Sequence, residues 1–176
     1  MARYVKLAKV GDAPVIKGLR AMEVKDIPEV TKMLNKYLSK FALHISFTEE
    51  EIRHFLIPRE WVIETYVVEE NEKLTDLVSF YSLPSQVLRH ESIKILNIAY
   101  SFYNVPGKYS LTELISDALI IAKNKGYDVF NALDVQQNSE VFKELKFAIG
   151  DGNLHYYLYN WRVHKLEPKE LGIVLV

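Results

Sequence analysis

Residues 110–133 read SLTELISDALIIAKNKGYDVFNAL, and this stretch decides the fold class. Ser110 and Glu113 stand in capping-box spacing, where each side chain can satisfy a backbone N–H that the first helical turn leaves free. Beyond them Leu111, Leu114, Ile115, Ala118, Leu119 and Ala122 recur with helical period, and Gly126 supplies a C-terminal cap. Tyr127–Leu133 follows at once as a strand. The helix therefore links that strand to an earlier one, Ile93–Tyr103, and such a crossover makes the two strands parallel.

Working outward, the other connections are short. Val62–Glu69 and Leu74–Ser82 flank Asn71-Glu72-Lys73 and are predicted to pair as a hairpin, with Ile93–Tyr103 as the third strand of a meander. Upstream, Tyr4–Val10 and Leu19–Met22 are short strands. Asp26 and Glu29 have capping-box spacing ahead of the stripe Ile27, Val30, Met33, Leu34, Tyr37, Leu38 and Phe41. Thr48 and Glu51 open a second, shorter helix that ends before Pro58. Downstream come a helix from Asn138 or Ser139 through Lys146, a long aromatic strand Leu154–Arg162, and a closing strand. One parallel passage in an otherwise antiparallel set defines an α+β fold, a mixed and mainly antiparallel sheet flanked by helices.

Composition narrows the class of protein. A chain of 176 residues with 49% hydrophobic and 12% aromatic content can bury one sizeable core, so residues 1–176 are expected to form a single domain. A net charge of −1 leaves no electrostatic footprint for nucleic acid. With no cysteine there is no thiol nucleophile, disulfide or thiolate metal site. His44, His54, His90, His155 and His164 lack ligand spacing, so no metal is expected. No run is apolar and long enough for a transmembrane segment, and a signal-peptide core is missing, so a cytoplasmic protein is expected.

The closing stretch Leu171-Gly172-Ile173-Val174-Leu175-Val176 is unusual, because chain ends are commonly polar and frayed. Two readings are open. It is either an edge strand that completes the sheet, or a buried strand that carries the α-carboxylate into the interior. An α-carboxyl titrates near ~3.3–3.7, and desolvation raises it toward the range of a general base.

The element order is similar to that of the N-acyltransferase (GNAT-type) fold, whose acyl-CoA members cradle a pyrophosphate on a glycine-rich strand–helix turn. At that position this chain has Asn104-Val105-Pro106-Gly107-Lys108-Tyr109-Ser110, with one glycine and a proline that removes a donor. Gly150-Asp151-Gly152 precedes a strand and carries a negative charge. The outline of an acyltransferase is present without its acyl-donor cradle, which argues against a self-sufficient acetyltransferase.

Several stretches then point to one family. They are Gly18-Leu19-Arg20, Lys25-Asp26-Ile27-Pro28, Ser79-Phe80-Tyr81, Ala99-Tyr100-Ser101-Phe102-Tyr103-Asn104, Ser116-Asp117-Ala118-Leu119, Asp128-Val129-Phe130-Asn131-Ala132-Leu133, Gly150-Asp151-Gly152-Asn153-Leu154, Tyr156-Tyr157-Leu158-Tyr159-Asn160-Trp161 and Gly172-Ile173-Val174-Leu175. From about Tyr4 to Val176 the chain resembles the C-terminal half of eukaryotic N-myristoyltransferase, the glycylpeptide N-tetradecanoyltransferase.

The resemblance implies transfer of myristate from myristoyl-CoA to the N-terminal glycine of proteins. It implies that an N-terminal half, absent from this chain, holds the myristoyl-CoA co-substrate and the oxyanion site. No tightly bound cofactor is implied. The C-terminal carboxylate, at Val176 here, is the implied base for the substrate's ammonium. Ser85, Tyr100, Asn131, Leu133, Asp151, Gly152, Leu154 and Leu175 are the implied peptide contacts. By their residue types alone, Asp151-Gly152 also fits an ordinary turn, and Ser85, Tyr100, Asn131 and Leu133 also fit sheet packing. Asp117, inside the amphipathic helix, is read as structural, and the aromatic ladder of Tyr156, Tyr157, Tyr159 and Trp161 as core and groove wall. The loop Val105-Pro106-Gly107-Lys108 carries no assignable motif.

The expected partners are proteins with an N-terminal glycine and the N-terminal half of the same enzyme. Cut from that half, the fragment is expected to be inactive and to self-associate through an exposed apolar face. The competing reading is a non-catalytic module that binds N-terminal glycine peptides.

Overall fold

The computed structural model describes residues 9–88, 94–150 and 152–174. Its strands are β1 (Leu19–Ala21), β2 (Leu43–His44), β3 (Ile63–Glu70), β4 (Lys73–Ser82), β5 (Ser85–Gln86), β6 (Ile95–Leu96), β7 (Ile98–Ser101), β8 (Val129–Asn131) and β9 (Leu171–Gly172). The α-helices are α1 (Ile27–Leu38), α2 (Glu49–Leu56), α3 (Leu111–Asn124) and α4 (Ser139–Phe142).

Local chemistry starts two of the helices where the sequence predicts. The Glu51 N–H donates to Thr48 Oγ1 at 3.2 Å and the Thr48 N–H donates to the Glu51 carboxylate at 2.8 Å. Ser110 and Glu113 make the same reciprocal pair ahead of α3. Such an N-cap is worth about 1 kcal/mol. Gly126 ends α3 at φ +87, a conformation that costs glycine nothing. Asn71 and Glu72 both take positive φ, as the tight β3–β4 hairpin turn requires.

The Asp26–Glu29 capping box does not form. The Asp26 carboxylate is taken by the Arg20 guanidinium at 2.7 and 2.8 Å and by the Glu23 N–H at 2.7 Å, which caps a 3₁₀ turn at Val24–Asp26. Glu29 instead accepts the Leu74 N–H at 3.0 Å, tying α1 to the hairpin.

The main sheet runs β1-β3-β4-β7-β8. Its pairings are antiparallel except β7 with β8, so the expected α+β architecture with one parallel passage through α3 is present. One face carries α1 and α2 over Val30, Leu34, Leu38, Ile52, Leu56, Val67 and Leu77, all fully buried. The other carries α3 over Val68, Val78, Phe80, Leu114 and Ala118. Burying each large aliphatic side chain contributes about 1.5–3 kcal/mol, so these two layers are the main source of stability.

Other expectations need correction. The strand expected over Ile93–Tyr103 is broken into β6 and β7, and the helix expected through Lys146 has its α-helical part confined to Ser139–Phe142. Residues 154–162 form no strand, and Tyr157, Tyr159 and Trp161 are 87%, 91% and 73% exposed rather than core. A strand exists only with a partner, and among the described residues no pairing reaches this segment from β8, the last strand of the main sheet. The strand expected over Tyr4–Val10 falls mostly outside the described residues. Among the described residues no helix is long and apolar enough to cross a membrane.

Candidate functional site

Three residues form a row across the sheet. Tyr81 on β4 is opposite Tyr100 on β7, and Tyr100 is opposite Asn131 on β8. Residues paired across strands share a face, and two-residue alternation adds Leu133, beyond β8, to the same side. This is the face of α1 and α2, since Tyr81 and Leu133 pack against that core while the neighbouring Phe80, Ala99 and Phe130 belong to the α3 side. The Tyr81 and Tyr100 rings stack with centroids 5.3 Å apart. Burial pushes the Tyr81 phenol above its usual range, with Tyr100 and Tyr156 adding to the effect.

The chain's closing segment docks beside this row. β9 pairs in parallel with β2, Leu171 with Leu43 and Gly172 with His44. A Cβ on Gly172 would stand 3.0 Å from both His44 Cβ and Phe41 Cδ2, so glycine permits this approach. The Leu171 carbonyl accepts the Gln136 N–H at 3.1 Å, and the Ile173 carbonyl accepts the Tyr156 hydroxyl at 3.2 Å. The Val174 N–H donates to Tyr103 Oη at 3.1 Å. Val174 is buried in the core. The tail thus packs against the core up to its last described residue, with Gly172 and Val174 buried, and it pairs with β2 outside the main sheet.

Tyr103 holds its place through a β-bulge. As β7 leaves β4, Ser79 Oγ accepts the Tyr103 N–H at 3.0 Å and donates to the Tyr103 carbonyl at 2.7 Å. Leu77 and Val105 then resume backbone pairing with one extra residue on the later strand. Burial pushes the Tyr103 phenol up to about 12, so it remains a neutral hydroxyl at working pH.

The turn ahead of α3 is not short of donors. The Gly107, Lys108 and Tyr109 N–H groups converge on the fully buried Asp76 carboxylate at 2.7, 3.2 and 3.0 Å. A Cβ on Gly107 would lie 2.0 Å from the Thr75 carbonyl oxygen. A protein carboxylate therefore occupies the anion position of the turn, and its charge opposes a phosphate there. Asp117 plays a comparable role, accepting the Val15 and Ile16 N–H groups and fastening the N-terminal segment to α3, the structural part expected of it.

Of the implied peptide contacts, Tyr100, Asn131 and Leu133 come together on one face and all are half-buried. Ser85 is exposed on the β5–β6 ribbon, where its pairing with Leu96 continues the β4–β7 register beyond Tyr81 and Tyr100. Gly152 and Leu154 are exposed, and a Cβ on Gly152 would meet open space. Asp151, Leu175 and Val176 lie outside the described residues. Tyr81 and Tyr103 were not assigned roles by sequence reasoning; their only signal was membership of the quoted stretches.

This architecture is that of N-acyltransferases. A ribosomal-protein-alanine N-acetyltransferase from Brucella melitensis superimposes with a TM-score of 0.58 at 19% identity over 80% of this chain and 97% of that one, which establishes the fold. The chain belongs to the family described as myristoyl-CoA:protein N-myristoyltransferase, C-terminal domain, whose model matches residues 1–174. It is 50% identical to glycylpeptide N-tetradecanoyltransferase 1 of Arabidopsis thaliana, covering 100% of this chain and 41% of that protein. The crystal structure of Saccharomyces cerevisiae N-myristoyltransferase with bound myristoyl-CoA matches with a TM-score of 0.80 at 35% identity, over 86% of this chain and 42% of the other. The chain spans about two-fifths of the length of these two relatives.

Proposed function

We propose that this domain is the peptide-binding, base-bearing half of a longer enzyme that transfers myristate from myristoyl-CoA to the N-terminal glycine of proteins. The observation that carries the proposal is the docking of the tail, through Tyr103 and Tyr156, beside the face bearing Tyr100, Asn131 and Leu133. Polar groups on an otherwise apolar wall suit an extended peptide, and a carboxylate is the group that pairs with its amino terminus. Ser85, Asp151, Gly152, Leu154 and Leu175 complete the proposed groove.

The chemistry requires a base. An α-ammonium with a pKa near ~7.7–8.0 is mostly protonated at neutral pH and has no lone pair. The Val176 carboxylate takes one proton. The freed amine attacks the thioester carbonyl; the tetrahedral intermediate gives up the second N–H proton to the departing sulfur as the C–S bond breaks, so that an amide and the coenzyme A thiol replace the thioester and the amine. Positioned general-base catalysis contributes about 10²–10⁴-fold. The myristoyl-CoA site and the oxyanion donors belong to a segment beyond these 176 residues, in keeping with the anion position of the Gly107 turn being filled by Asp76. Alone, the chain is inactive, because oxyanion stabilisation is often the largest catalytic contribution.

Calorimetric titration with a short peptide bearing a free N-terminal glycine, against its N-acetylated form, tests the groove. Selective binding of the free amine supports it; equal binding of both removes the carboxylate from recognition. Extending the longer enzyme past Val176 should abolish transfer, whereas a non-catalytic glycine-peptide module would keep its binding.

A further inference from the structure

We propose that Tyr103 is a positioning residue for the reaction, and that its hydroxyl, by holding the Val174 amide, sets where the terminal carboxylate can reach. The inference rests on the reading of the Val176 carboxylate as the base and adds the group that aims it.

The supporting geometry is continuous from strand to tail. Ser79 sits within β4, fully buried, and both backbone groups of Tyr103 are bonded to its hydroxyl. The Asn104 side chain closes the same bulge, accepting the Ser79 N–H at 3.2 Å and donating to Ser101 Oγ at 2.9 Å. The Tyr103 ring is locked edge-on to Phe47 at 5.3 Å and tilted against Phe102 at 4.5 Å. Tyr103 is 1% exposed, so neither its ring nor its backbone has freedom to shift. The hydroxyl at the end of this rigid arm accepts the Val174 N–H.

From the Val174 nitrogen to the Val176 carboxylate runs the backbone of three residues, which spans at most about 10 Å when fully extended. Fixing the Val174 amide therefore sets an upper bound on how far the chain beyond it can reach. The Val174 N–H belongs to the same peptide unit as the Ile173 carbonyl, so removing the Tyr103 hydroxyl releases one of the two side-chain bonds on that unit and leaves the Tyr156 bond to hold it alone. A base displaced by about 1 Å can cost on the order of 10²-fold in rate, whereas partial loss of confinement costs less.

Tyr103→Phe keeps the ring and removes only the hydroxyl. In this 176-residue chain, hydrogen exchange at the Val174 amide followed by NMR should accelerate at least tenfold in Y103F, with the Leu77 and Val105 amides unchanged. In the longer enzyme, Y103F should lower kcat about tenfold while leaving KM for myristoyl-CoA within twofold. A merely structural role would move the thermal midpoint and every amide together instead. Unchanged Val174 exchange, or kcat within twofold of wild type, overturns the proposal. Should Y103F not fold, the wild-type chain decides: a Val174 amide that exchanges as fast as free peptide overturns it, and strong protection supports it. The two readings fail separately. If extension past Val176 leaves transfer intact, the carboxylate is not the base, whatever Y103F does to Val174.

Discussion

The Asp76 carboxylate accepts the Gly107 N–H at 2.7 Å across 31 residues of sequence, and the Lys108 and Tyr109 amides join it. An anion-binding turn is thus closed from within by a side chain of the neighbouring strand. Removing the acceptor leaves buried donors without partners, each costing about 1–3 kcal/mol. Asp76→Ala should therefore destabilise the chain by roughly 3 kcal/mol, read as a lower urea midpoint at unchanged slope. A loss below about 0.5 kcal/mol, the size of an ordinary surface substitution, would show that the turn holds its shape without the carboxylate.

The Arg20 guanidinium holds the Asp26 carboxyl below the usual carboxylate range, helped by the Glu23 N–H. A carboxyl lowered on folding contributes stability that is fully present above its unfolded pKa, near ~3.9, and is lost as pH falls through the lower folded value. Asp26→Asn should be less stable than wild type by about 2 kcal/mol at pH 7, with the two stability curves converging below about pH 4. Thermal midpoints from pH 7 to 3 measure this, and a constant gap would contradict it.

Asn131 stands beside Tyr100 on the proposed groove wall and is half-buried. Asn131→Ala should weaken binding of a glycine-terminal peptide about tenfold, the worth of one good hydrogen bond. The thermal midpoint should stay within about 3 °C of wild type, since the change removes no core contact. Undiminished affinity would return Asn131 to plain sheet packing.

Tyr157, Tyr159 and Trp161 are largely exposed, with Leu154, Leu158 and Val163 between and beside them. Apolar surface of this kind favours association. Sedimentation of the 176-residue chain should show self-association that rises with concentration and falls in the double variant Tyr159→Ser, Trp161→Ser. A monodisperse wild-type monomer at high concentration would count against it.

What was legible in the sequence had local causes. The capping boxes at Thr48–Glu51 and Ser110–Glu113 form because donor and acceptor lie within one helical turn. The α1 stripe from Ile27 to Phe41 and the Asn71–Glu72 turn are equally short-range. Asp26 was misread because its carboxylate had competing partners, and Arg20, brought close by β1, made the stronger, charged bond. The aromatic run 154–162 has strand composition, but β-propensity only expresses fit to a partnered surface, and no strand pairs with it among the described residues.

The candidate site divides the same way. Sequence by itself determined α1 to α3, the hairpin, the parallel passage within the main sheet and the family pattern that marks Tyr100, Asn131 and the tail, because each depends on residue order at short range or on matched stretches. Only the tertiary structure decided that Asp76 fills the Gly107 turn and that Tyr103 grips Val174. Those contacts span 31 and 71 residues, and no local propensity encodes them. They exist because burial obliges each backbone N–H to find an acceptor, and the packed sheet offers one.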